Sequence, residues 1–218
     1  MKLPWKLAPP YRSYFTWFQL ITVYLLLESA LWSSRISVRN RWAFAIVIVV
    51  FAFMAVDRPS IRRLGLAQPA GKGVGIMLAV SLAAGFLLVF MVHWAGGEVR
   101  TDAVWFNFRQ SLGYFLWALV QEFLLQSFFF TRCEDLFGGE PAVWIAATLF
   151  AFAHLPNPIL TTFTLIGASF FCEMFRRYRS IYPIAVVHAA LGLTVAVTMP
   201  DSLLHHMRVG IGYFQYWH

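Results

Sequence analysis

The sequence predicts an all-α fold, a polytopic transmembrane helix bundle of about seven spans, six to eight in all, and three observations predict it. Of the 218 residues 60% are hydrophobic, 18% are aromatic and only 12% carry charge. A soluble domain of this size has too little interior to hide that much apolar surface. The apolar residues also come in runs close to the ~20 residues that cross a hydrocarbon core about 30 Å thick. The basic residues, finally, gather in the short stretches between those runs.

Spans are expected near 13–32, 42–57, 74–94, 112–131, 141–157, 158–175 and 181–199. The first follows a polar, basic segment, Met1–Arg12, and is long enough to cross, so it reads as a membrane anchor and no cleavable signal is evident. The first three runs carry ordinary lipid-facing residues. Ala95–Arg109 (AGGEVRTDAVWFNFR) is the main polar connection, with Trp105, Phe106 and Phe108 suited to headgroup level. From Ser111 onward the runs change character and hold Gln121, Glu122, Gln126, His154 and His188. Only Pro156, Asn157 and Pro158 separate the fifth run from the sixth. His93 ends a span, and His205, His206 and Arg208 follow the last one; all read as interfacial. We expect one membrane domain, 1–218, with scaffold spans in 1–110, a site-bearing bundle in 111–200 and a short tail, 201–218. No internal repeat is evident.

The formal net charge is +7, but the basic residues form no continuous patch interleaved with aromatics, and no nucleotide-binding loop is present. Nucleic acid and nucleotides are therefore not expected partners, whereas the lipid bilayer is. Assigning loops alternately puts Lys2, Lys6, Arg12, Arg58, Arg62, Arg63, Lys72, Arg132, Arg176, Arg177 and Arg179 on one side. The other side receives Arg35, Arg39, Arg41, Arg100, Arg109 and Arg208. The excess favours a cytoplasmic N-terminus. Cys133 and Cys172 lie at the ends of different spans and read as small packing residues rather than a disulfide framework.

Glu122 stands in the middle of Tyr114–Phe130 (YFLWALVQEFLLQSFFF), where an ionised carboxylate costs roughly 2.5 to 3.5 kcal/mol on insertion scales. Helix positions four apart share a face, so Glu122 projects with Gln126, Phe150 with His154, and His188 with Gly192. Taken singly, Glu122 also reads as a neutral acid joining helices, and the histidines as satisfied interface or core groups. Together, one carboxylate and two imidazoles can ligate zinc and leave a fourth position for water, or a carboxylate can act as base on a water held by histidine. Spacing leaves both open. Glu173 is placed to pair with Arg176 and Arg177, and Glu28 has no assignment. A His-Glu-x-x-His zinc motif, a Gly-x-Ser-x-Gly elbow and repeated histidine boxes are all absent.

Three segments then fall into a known order: Gln121-Glu122-Phe123-Leu124-Leu125-Gln126-Ser127, Leu149-Phe150-Ala151-Phe152-Ala153-His154-Leu155, and Ile181 to Ala190 with His188. They resemble the three motifs of the CPBP family, the CAAX proteases and bacteriocin-processing enzymes also called Abi. Its pattern is Glu-Glu-x-x-x-Arg, Phe-x-x-x-His and His-x-x-x-Asn or a similar polar residue, and the resemblance covers roughly 112–200. It implies an all-helical intramembrane endopeptidase in which Glu122, His154 and His188 are catalytic and Gln121, Gln126 and Phe150 support them. If a metal is bound, the same Glu122, His154 and His188 would hold it, and zinc is the metal implied. The implied substrate is a membrane protein or peptide, a lipidated CAAX terminus among the candidates, and the implied location is a bacterial inner (cytoplasmic) membrane.

The sequence departs from the pattern at three positions. Gln121 replaces the first acid, and an amide accepts no proton at useful pH. Gln126 replaces the arginine, and Gly192 the last polar residue. Two readings follow. Either Glu122 takes over the base role, with Gln121 and Gln126 supplying hydrogen bonds, or the bundle is a catalytically inactive membrane partner or scaffold. A proton-coupled transporter is the alternative from another class, because intramembrane acids and histidines also build proton relays.

Overall fold

The structure, a computed structural model, describes residues 9–68, 71–100 and 107–215. These form helices α1 (Pro9–Leu31), α2 (Ile36–Asp57), α3 (Gly71–Trp94), α4 (Phe108–Glu122), α5 (Thr131–Phe137), α6 (Gly139–Phe152), α7 (Pro158–Tyr178), α8 (Tyr182–Thr198), α9 (Asp201–Leu204) and α10 (Ile211–Phe214). A π-helical stretch, Phe123–Phe130, joins α4 to α5, and a 3₁₀ turn, His205–Met207, follows α9. Among the described residues there is no strand. Trp105 and Phe106 of the expected interfacial segment lie outside the described residues, as does Met1–Ala8.

Among the described residues five helices are long and apolar enough to cross a membrane: Tyr11–Leu31, Ile36–Asp57, Gly71–Trp94, Phe108–Phe137 and Pro158–Tyr178. Tyr182–Thr198 with Asp201–Met207 makes a sixth, bent by 120°, and Gly139–Phe152 is a shorter apolar helix. All seven expected runs are thus helical. The fifth is shorter than expected because α6 ends at Phe152 and residues 153–157 turn. Pro156 and Pro158 explain this, since proline cannot donate within a helix and pushes the residue before it toward extended backbone. Asn157 then restarts the chain as an N-cap: its Oδ1 accepts the Leu160 N–H at 3.0 Å, with Pro158 in the first helical turn.

The 30-residue rod from Phe108 to Phe137, about 45 Å long, is the centre of the bundle. Along its π-helical part Leu125, Gln126, Ser127, Phe128, Phe129 and Phe130 are all buried in succession. That pattern belongs to a helix surrounded on every side. Phe128 meets Phe53 of α2, Phe129 meets Tyr24 of α1, and Phe130 meets Phe175 of α7. Widening to π geometry disturbs the regular backbone ladder. The carbonyls of Ser127 and Phe128 accept from Thr131 Oγ1 at 2.9 and 3.1 Å, so the disturbed region keeps its partners.

Arg132, expected in a loop, is instead buried. Its guanidinium lies 3.8 Å from the Phe128 ring centroid, donates to Gln19 Oε1 at 2.7 Å and pairs with Asp57 Oδ2 at 2.9 Å. Gln19 Nε2 in turn donates to Asp57 at 3.1 and 3.2 Å. This triangle ties α5, α2 and α1 together at one end of the bundle, where a charge can leave water only with its partners supplied. Arg63 pairs with Asp135 at 2.5 Å nearby, and Arg179 pairs with Glu134. Arg12, Arg63, Arg132 and Arg179 therefore sit at one end of the bundle, as the alternating loop assignment expects. Glu173 pairs with Arg176 at 2.7 Å and also with Arg177, the expected one-turn contacts. Gly65, at φ 72°, lets the α2–α3 connection press against this end: a Cβ there would lie 2.3 Å from Phe175.

At the opposite end the tail folds back onto the turn after α6. Asn157 Nδ2 donates to the carbonyls of Leu204 at 2.9 Å and Arg208 at 3.2 Å, and the Gly210 N–H donates to Leu155 O at 2.8 Å. His205 is consequently buried, its ring 4.1 Å from that of Tyr213, while His206 Nδ1 lies 3.0 Å from Asp201. Arg100 reaches the same Asp201 at 2.6 Å.

Candidate active site

Glu122 is the last residue of α4, where the rod passes into π geometry, and its side chain is fully buried. Its Oε1 lies 2.7 Å from His188 Nδ1 on α8. Its Oε2 accepts from Gln126 Nε2 at 3.0 Å, the i to i+4 contact expected on one helix face. Both carboxylate oxygens are engaged. One proton is shared in this contact: against a carboxylate, which only accepts, it stands on His188 Nδ1, and Nε2 is the ring nitrogen that Glu122 does not engage.

His154 is fixed in the same tautomer by a different group. Its Nδ1 lies 2.7 Å from the Phe150 carbonyl oxygen. A carbonyl cannot donate, so Nδ1 carries hydrogen and Nε2 is again the basic nitrogen. The Phe150 ring touches both imidazoles, with centroids 4.8 Å from His154 and 6.2 Å from His188, nearly perpendicular to the latter at 88°. Phe171 of α7 stacks on His188 at 5.5 Å and 21°. Aromatic walls of this kind leave an imidazole few alternative rotamers.

The structure thus joins Glu122, Gln126, His188, Phe150 and His154 into one cluster from α4, the π-helical stretch, α6 and α8. Gln121 is half-buried on α4, next to Glu122 in the chain. Sequence reasoning missed Phe171, which carries no polar signal, and Asn157, which anchors the turn after His154. The signal for Asn157 was present, since an asparagine before a proline and an apolar run is a helix-start signature.

Among the described residues no three His, Cys, Asp or Glu side chains are grouped so as to hold a metal ion. Glu122 is shared between His188 and Gln126, while Nε2 of His188 and of His154 are left unengaged by these contacts. Gln126 Oε1 is buried and has no hydrogen-bond partner among the described residues.

Compared with known proteins, residues 103–194 match the family model described as type II CAAX prenyl endopeptidase Rce1-like. No curated protein and no solved structure matches the chain. The matched segment, which carries Glu122, His154 and His188, is similar to that family.

Proposed function

We propose that this protein is an intramembrane endopeptidase of the CAAX type, hydrolysing a peptide bond near the C-terminus of a lipidated, membrane-associated protein or peptide. The observation that carries the reading is the buried Glu122–His188 pair, 2.7 Å apart, inside the segment that matches the type II CAAX prenyl endopeptidase family. A buried acid and imidazole that are each other's partner cost folding energy and supply a base, which is what hydrolysis in an apolar site requires.

Glu122 acts through His188 in this reading. The carboxylate holds the ring, keeps hydrogen on Nδ1 and stabilises the imidazolium that forms when Nε2 takes a proton from water, the logic of an acid–histidine pair in other hydrolases. The water oxygen bonds the carbonyl carbon, the carbonyl oxygen becomes an oxyanion, and the carbon–nitrogen bond then breaks as the departing amine receives the proton from His188. His154, whose Nδ1 is held by the Phe150 carbonyl, serves through Nε2 as the second group that holds the water. Gln126 Oε1 is available to accept an N–H of the bound peptide. No step is routed through a metal. The Gln121 amide, which cannot serve as a base, is not required to.

We further infer a bacterial inner membrane, as the resemblance implies, and on the positive-inside argument the Arg12, Arg63, Arg132 and Arg179 end faces the cytoplasm. Cleavage of a prenylated C-terminal peptide by the purified protein in lipid nanodiscs tests the reading, with the unprenylated peptide as comparison. Release of the terminal residues from the prenylated peptide supports it. Equal indifference to both peptides contradicts it.

A further inference from the structure

His154 stands on chain that has left the helix, since α6 ends at Phe152 and α7 begins at Pro158. Its own backbone is held there by short turn bonds: His154 N–H to Ala151 O at 2.9 Å, Leu155 N–H to Phe152 O at 3.0 Å and Asn157 N–H to His154 O at 3.2 Å. Irregular backbone among membrane helices is kept where protein covers it and completes its hydrogen bonds. The tail does this on both sides of His154. Gly210 N–H donates to the Leu155 carbonyl, on the residue directly after His154, at 2.8 Å. Asn157 Nδ2, three residues after His154, donates to the Leu204 carbonyl at 2.9 Å and the Arg208 carbonyl at 3.2 Å. Gly210 is the pin of this arrangement. It sits at φ 55° and ψ −138°, a conformation that side chains with a Cβ rarely adopt. A Cβ there would also lie 2.3 Å from the Leu31 carbonyl oxygen at the end of α1. The tail is clamped further on either side of the turn, by Asp201 against Arg100 at 2.6 Å and by Phe214 against Trp32 at 6.3 Å between ring centroids.

From these contacts we infer that the tail, 201–214, is a strap that sets the position of His154, with Gly210 as a positioning residue acting through the Leu155 carbonyl. The inference rests on the peptidase reading, in which His154 holds the attacking water. Glu122 and His188 stand on α4 and α8, whose own backbone ladders fix them. A turn has no such ladder and takes its position from what is bonded to it. Holding a water against a peptide carbonyl needs placement to about 0.5 Å, and a misplacement of about 1 Å costs on the order of 10²-fold in rate. Releasing the strap therefore loosens the group that holds the water and leaves the group that takes its proton in place.

The test uses full-length protein in nanodiscs, the prenylated peptide, and limited proteolysis within 199–215 to report whether the tail is released. Gly210→Ala places a Cβ against Leu31, and Gly210→Pro in addition removes the N–H that Leu155 accepts; neither alters a group of the proposed chemistry. Faster proteolysis is expected, with kcat per folded molecule down by about tenfold or more, KM little changed and the pH profile of kcat in the wild-type position, because His188 remains the base. A purely structural tail would lower the folded fraction and leave kcat per folded molecule alone. A released tail with wild-type kcat per folded molecule overturns the inference, as does a displaced pH profile, which would put the effect on His188. Unchanged proteolysis in both variants overturns it too, since Gly210 then pins nothing. Each of these leaves the peptidase reading standing, whereas no cleavage by the wild-type protein overturns both.

Discussion

Glu122 Oε1 and His188 Nδ1 meet at 2.7 Å although 66 residues of chain separate them. The contact joins the central rod to α8 across an apolar interior. Both groups lose water together, so each becomes the other's main source of stabilisation, and truncating either leaves its partner buried and under-satisfied. The same contact fixes the tautomer on which the proposed hydrolysis depends.

Glu122→Gln preserves shape and can still accept the Nδ1–H of His188 through its amide oxygen, while removing the charge that stabilises an imidazolium. Peptide cleavage is expected to fall about 10²- to 10⁴-fold, the contribution of a positioned acid–base group. Circular dichroism and the unfolding temperature should change little, which separates a chemical loss from a folding loss.

Chelation provides an independent check on the donor arrangement. With both Glu122 oxygens committed, cleavage is expected to continue after dialysis against phenanthroline and EDTA, and purified protein to carry no stoichiometric zinc by elemental analysis once the His205–His206 pair is replaced. Zinc at one per chain, lost on His154→Ala or His188→Ala, would contradict the arrangement described.

The Arg132–Asp57–Gln19 triangle predicts a stability effect with no bearing on chemistry. Arg132→Met removes the cation and leaves Asp57, which is partly exposed and so keeps some water. A loss of about 1 to 3 kcal/mol is expected, below the 3 to 5 of a fully buried pair, and would be read from unfolding in mild detergent. Per folded molecule, peptidase activity should be retained.

Asn157→Ala deletes the donors to Leu204 and Arg208 carbonyls and the cap on α7. A loss of about 1 to 3 kcal/mol is expected for the unsatisfied buried groups, together with earlier proteolytic cleavage in 199–215. The same turn carries His154, so kcat should fall as well. Unchanged proteolysis would show that the tail is held by something other than Asn157.

Much of this was legible in the sequence because a membrane makes polar residues conspicuous. Glu122, His154 and His188 each interrupt an apolar run, and the motif order brought them together before any helix was placed. The helices were legible for the same reason, except where α6 yields its last turn to Pro156 and Asn157. Other features left no such trace. The π-helical geometry of Phe123–Phe130 gives no distinct period in a segment that is apolar throughout. Arg132 looked like a loop charge because its partners, Gln19 and Asp57, are remote in sequence. Burial of His205 depends on a tether from Asn157 across 47 residues. Gly192 read as a missing polar group, since nothing in the sequence indicates that the Tyr114 ring packs into the notch it leaves.

The measurement that bears most directly on the account is the single-turnover rate of prenylated-peptide cleavage by wild type and by His188→Gln and Glu122→Gln, with peptide binding measured on the same samples. The account predicts that wild type cleaves, and that both variants bind the peptide normally but cleave at least about 10²-fold more slowly. Cleavage in either variant at the wild-type rate would contradict the claim that the Glu122–His188 pair performs the chemistry.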